Sequence, residues 1–147
     1  MTTRQHSREA LRAHAANLAA VASLPDEIRR LDLALASPRV SNPEKLPGGG
    51  AEDDRLERLV VRRDELTLRL EMVELSVRSV ERALDALRQD ERHILEVMDI
   101  DRQRGAAARL AAELYYSDAS TVYKLEARAL DRFALAMYGG DYTWAVT

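Results

Sequence analysis

The chain has 147 residues, of which 46% are hydrophobic, 5% aromatic and 32% charged; 22 basic and 25 acidic residues give a formal net charge of −3. With no cysteine, it has no disulfide framework, thiolate metal site or cysteine nucleophile, and no run approaches the ~18 apolar residues that suggest a membrane span. So balanced a charge does not announce nucleic-acid binding, and any such role must rest on local features.

The length suits about one domain. Ala, Leu, Arg and Glu dominate, and all four are strong helix formers. Near the start, Arg4, Arg8, Glu9 and Arg12 are scattered among alanines. No compact apolar core with a cleavage site is present, so the segment does not read as a secretion signal. An organelle transit peptide is the alternative, and an alanine-rich surface or partner-facing helix is preferred. Residues 7–22 are expected to be helical, within an N-terminal segment 1–24. Pro25, Asp26 and Glu27 then mark a fresh helix start. Ile28, Leu31 and Leu35 give that second helix, over 26–36, an apolar stripe.

Residues 37–51 read SPRVSNPEKLPGGGA, which cannot continue a helix. This connector is long enough to signal function or disorder. Its glycines 48–50 lack the Lys-Ser/Thr and the strand of a phosphate loop, so they read as a hinge.

The strongest periodicity follows. Leu56, Leu59, Arg63, Leu66, Leu70, Val73, Val77, Val80, Leu84 and Leu87 alternate spacings of three and four. That is a heptad pattern, and it predicts one helix over 52–87. Arg63 interrupts the stripe and is expected to snorkel to solvent. Val61, Leu68 and Leu75 add a partial second stripe, which widens the apolar face towards a bundle. Two readings of the seam stay open. The helix over 26–36 folds back on it, in a hairpin over 25–87. Or a second copy of the chain pairs through Leu59, Leu66, Leu70, Val73, Val77, Val80 and Leu84, making a homo-oligomer.

The remainder, 88–140, divides into three short helices. Asp90 is the expected cap of the first, which carries Ile94, Leu95 and Met98. Residues 99–105 read as a polar turn. The second helix, 106–114, places Leu110, Ala111 and Leu114 on one face. After a turn at 115–118, the third helix, 119–137, repeats Val122, Leu125, Ala129, Phe133 and Met137 at three and four. Gly139 and Gly140 end it, and 141–147 is a tail. Three helices with a short turn before the last are the arrangement of a helix-turn-helix unit.

The runs LRQDERHILEVMD and AARLAAELYYSDASTVYKLEARALDRFALAMYG resemble the sigma factor region 4 type of helix-turn-helix. More closely, the chain resembles small proteins of temperate phages and prophages that join an N-terminal coiled-coil hairpin to such a unit. IRRLD at 28–32, the Pro/Gly-rich loop ending in GGG and the heptad helix occur in the matching order, so the resemblance spans about 26–139. It implies a transcriptional regulator of phage or prophage genes, acting in the cytoplasm of a bacterial host cell. It also implies that Leu110, Ala111 and Leu114 pack the supporting helix and that Ser117 or Asp118 caps the recognition helix. Ser120, Thr121, Tyr123, Lys124 and Arg128 would lie on or beside its exposed face. RNA polymerase is a further partner by analogy. Tyr115 stands where the usual turn has glycine, and 116–122 is one residue longer than the common pattern.

The chemistry of the residues supports a double-stranded DNA contact independently. A recognition helix presents its N-terminal residues to base edges, and its first amides favour phosphate. Ser120, Thr121 and Tyr123 offer hydrogen bonds, while Lys124 and Arg128 neutralise phosphate or read guanine. From 88 to 138 there are eight basic residues (Arg88, Arg92, Arg102, Arg104, Arg109, Lys124, Arg128, Arg132). Nine are acidic (Asp90, Glu91, Glu96, Asp99, Asp101, Glu113, Asp118, Glu126, Asp131), a net of −1. Such a unit must gather its cations on one side to bind DNA, with Arg102, Arg104 and Arg109 joining Lys124 and Arg128. Dimerisation would double the contacts.

Two other roles compete: a structural or adaptor protein working through coiled-coil contacts, and a DNA-packaging component of a phage. An enzyme is not expected, since no nucleophile–base pair, metal cluster or phosphate loop can be assembled. His6, His14 and His93 supply no set of metal ligands, no cofactor is expected, and Trp144 packs back or meets a partner. The expectation is an all-α protein, with a helical hairpin or long coiled-coil helix followed by a three-helix helix-turn-helix unit.

Overall fold

A computed structural model describes residues 2–37, 50–116 and 118–140. The described residues are helical, with no strand: α1 (Thr3–Ala36), α2 (Gly50–Asp85), α3 (Gln89–Leu95), α4 (Ala106–Glu113) and α5 (Ala119–Tyr138). A π-helical turn, Glu96–Ile100, continues α3. The expected all-α class is therefore the observed one.

The first helix departs from expectation. Pro25 lies inside α1, which runs unbroken for 34 residues. An interior proline loses one backbone hydrogen bond and crowds the preceding turn. Here Leu24, beside it, is buried at 8% exposure, and Leu24, Leu31 and Leu66 line one groove. Burying that apolar face offsets the proline. Most of the 37–51 connector, the residues 38–49, lies outside the described residues.

The chain forms two compact units whose boundaries fall inside α1 and α2: one holds the chain up to Leu18 and from Leu75 onwards, the other Ala19–Glu74. They do not coincide with the segments 1–24, 25–87 and 88–140 read from the sequence. In the first unit, Leu11 of α1 is buried with Val80, Ala83 and Leu84 of α2, Leu95 of α3, and Ala129, Leu130 and Phe133 of α5. The start of α1 is thus a core element of the first unit. In the second unit, Arg63 reaches Asp32 of α1 at 3.3 Å, both half-exposed, so it bridges the two helices where free extension to solvent was expected.

The long α1 changes the reading of the seam. Val80 and Leu84 are buried at 2% and 1% exposure, and Leu66 at 7%, by contacts within one chain. Leu59, Leu70, Val73 and Val77 are half-buried. Three of the seven expected seam residues are therefore buried within the chain and four remain partly open. The second stripe is open: Val61, Leu68 and Leu75 are 50%, 59% and 59% exposed.

Candidate nucleic-acid interface

The supporting helix α4 is bounded by two left-handed residues. Gly105, at φ 71°, precedes its first turn, a conformation glycine adopts without penalty. Tyr115, at φ 61°, closes it. The Tyr116 amide donates to the Ala111 carbonyl at 2.8 Å and the Tyr115 amide to Ala112 at 3.4 Å. That is a Schellman closure with tyrosine in the place usually held by glycine. The chain therefore keeps the turn geometry that its sequence lacks the usual residue for.

Asp118 caps α5. Its carboxylate accepts from the Ser120 and Thr121 amides at 2.9 and 3.4 Å, and from the Ser120 hydroxyl. The Ser120 hydroxyl, then the two amides, hold the Asp118 carboxyl below the usual range. This corrects one expectation. The first amides of α5 are occupied by a carboxylate and are not open to phosphate. Ser117, the other expected cap, lies outside the described residues. At α3 the cap position belongs to Arg88 rather than Asp90. The Arg88 amide donates to Glu91 at 3.3 Å, so the acid that closes this helix end sits three residues in.

The packing face follows the expected spacing. Ile94, Ala107, Leu110, Ala111 and Val122 form one buried cluster, with Met98, Leu114, Ala119 and Leu125 against it. This joins α3, α4 and α5 into the three-helix unit. On the other side of α5, Ser120, Tyr123, Lys124 and Arg128 are exposed and Thr121 is half-buried. Tyr123, 55% exposed, lines a concavity with Met98, Arg102, Gly105, Ala106 and Ala119. The turn before α4 and the first turns of α5 therefore share one surface. Arg104 and Arg109 are exposed there and on α4, and Arg109 donates to Gln103, which lines the same concavity.

Ion pairing sorts the charges. Among the described residues, Arg102, Arg104, Arg109, Lys124 and Arg128 make no ion pair with a carboxylate. The other cations of this stretch do: Arg88 with Asp90, Arg92 with Glu81, Asp85 and Glu96, Arg132 with Glu91. Most of the acids are engaged inward or sideways, whereas Asp101 and Asp118 stay exposed without an ion pair among the described residues. Glu126 is 4% exposed and accepts from Arg8 at 2.8 Å. Asp131 takes both bonds of the Arg4 guanidinium at 2.8 Å, which holds its carboxyl below the usual range. Glu113 pairs with His93 at 3.0 Å.

Sequence reasoning missed the buried polar cluster. Asp99, expected in an exposed turn, is 3% exposed in the π-helical turn. Burial pushes its carboxyl up to about 7, helped by the charge and hydrogen bond of Glu126 and opposed by Arg8 and Arg12. Arg8 of α1 lies 3.9 Å from it. His14 is also buried, its Nε2 at 2.8 Å from Glu81. The signal was present as arginines four apart on the first helix, but nothing in their spacing names their carboxylates, which lie more than ninety residues away. Trp144 lies outside the described residues.

No group of three or more His, Asp or Glu that could hold a metal ion occurs among the described residues, and none of their helices is long and apolar enough to cross a membrane. Compared with family models, curated proteins and solved structures, the chain matches none.

Proposed function

We propose that the chain is a sequence-specific DNA-binding regulator of transcription, of the kind found in phages and prophages, working in the cytoplasm. Its α5 would lie in the major groove, and two copies would act together. One observation carries this reading: of the cations between 88 and 138, those left without carboxylate partners are on and beside the exposed face of α5, while the acids of the same helix are tied to Arg4 and Arg8. The unit is near-neutral in total and asymmetric in what it leaves for a ligand. Phosphate neutralisation needs that asymmetry. Tyr123 adds a hydrogen-bonding group for base edges, and the Ser120 hydroxyl, which donates to Asp118, keeps only acceptor capacity. The phage context and a contact with RNA polymerase rest on the sequence resemblance alone.

Of the three acids that would favour the adaptor reading, Glu126 and Asp131 are bound to Arg8 and Arg4, while Asp118 stays exposed at the start of α5, held by the Ser120 and Thr121 amides. The test is the double variant Lys124→Ala/Arg128→Ala. Both side chains are exposed, so the fold should survive, as circular dichroism would verify. We expect DNA affinity at low salt to fall at least about tenfold and the log–log salt slope to drop by about 2. A double variant that binds DNA like the parent would place the interface elsewhere.

A further inference from the structure

We infer that the outer face of α2 in the Ala19–Glu74 unit is a parallel coiled-coil interface for a second copy of this chain. The inference deepens the dimeric part of the proposed function and rests on it, but it concerns a different face from the heptad seam that holds Leu66, Val80 and Leu84. Val61, Leu68 and Met72 stand exposed on α2 at 50%, 59% and 61%. Val61 and Leu68 take d positions of a second heptad register, and Arg58, Glu65 and Met72 take the a positions. The flanks of this register are segregated by charge. Its e positions are Arg55, Arg62 and Arg69, and its g positions are Glu57, Asp64 and Glu71.

That pattern selects one partner and one orientation. In a parallel pair each g residue faces the next e residue of the other helix. Glu57 meets Arg62 of the second copy, Asp64 meets Arg69, and the two-fold axis repeats both contacts. In an antiparallel pair g faces g and e faces e. Acid would then meet acid and arginine would meet arginine. Another chain would need the same two flanks to do as well, and an identical copy has them by construction. In this pair a faces a, so Arg58 and Glu65 each meet their own copy and both weaken the seam, whose apolar contact comes from Val61, Leu68 and Met72. The 3.7 Å pairing of Glu65 with Arg62 is exposed on both sides and is worth little.

The experiment uses the full chain, whose lack of cysteine makes single-cysteine variants clean. Light scattering after size exclusion is expected to give a dimer at about 100 µM, set by mass action. Leu68→Glu is expected to be a monomer with unchanged helicity, and Glu65→Leu to tighten the dimer at least about tenfold. Under mild oxidation Val61→Cys and Leu68→Cys should each cross-link to itself, because only a parallel in-register pair brings both positions opposite their own copies. A monomeric parent at that concentration would overturn the inference, as would a dimer untouched by Leu68→Glu. Cross-linking only in a mixture of the two cysteine variants would overturn the parallel orientation. None of these readouts uses DNA, so a failure of DNA binding would leave them standing, and their failure would leave a monomeric DNA contact intact.

Discussion

Tyr115 holds a left-handed conformation that costs a non-glycine residue roughly 1–2 kcal/mol, and its side chain is 95% exposed. Nothing around the ring offsets that cost, so Tyr115→Gly should stabilise the unit by about 1 kcal/mol, read from urea unfolding. A destabilised variant would mean that the ring makes a contact the fold needs. Gly105 argues the converse. It has open space around an added methyl but sits at φ 71°, so Gly105→Ala should cost about 1 kcal/mol from backbone strain. Asp99 makes the most specific residue-scale prediction. Its folded-state carboxyl is raised to about 7 from an ordinary 3.8 by burial and by Glu126. Between those values the folded state holds a proton that the unfolded chain has released. The stabilisation from this group is complete below about pH 4 and is lost as pH rises through about 7. Asp99→Asn replaces the shared proton with an amide donor. The stability difference, variant minus parent, should therefore rise with pH from 4 to 7 and flatten above. A flat difference across that range would remove Asp99 as the titrating group.

At the scale of elements, α2, α4 and α5 were legible in the sequence to within a few residues, because apolar spacing and end signals agreed. The faces of α4 and α5 were legible too: Leu110, Ala111 and Val122 are inside and Tyr123, Lys124 and Arg128 outside. The continuity of α1 was not. Pro25 carries a strong local stop signal, and what overrides it is tertiary burial around Leu24, which no local window contains. The role of the first turns of α1 was hidden for the same reason. Leu11 and His14 meet partners far along the chain. Leu11 is completely buried in the first unit, so Leu11→Ala should destabilise that unit by about 2–5 kcal/mol. A loss below 1 kcal/mol would show the start of α1 to be a loose attachment. The expected opening of the α5 N-terminus to phosphate failed on one residue. Asp118 satisfies those amides internally, as an aspartate at a cap position does.

At the scale of the molecule, function follows from how charge is distributed rather than from how much there is. A net charge of −3 argues against a polyanion partner only if every cation is equally available. Here Arg4 and Arg8 neutralise Asp131 and Glu126, and the cations of the α4–α5 surface are left to face outward. That division was invisible in the sequence, because it depends on pairs such as Arg8 with Glu126 that only the fold brings together. The most direct measurement is fluorescence anisotropy of the pure chain on DNA fragments from around its own gene, at low and moderate salt. We expect fragment-selective binding whose affinity falls steeply as salt rises, with a slope reporting several displaced counterions. Absence of binding at low salt, or binding with equal strength to every fragment, would contradict sequence-specific recognition by α5.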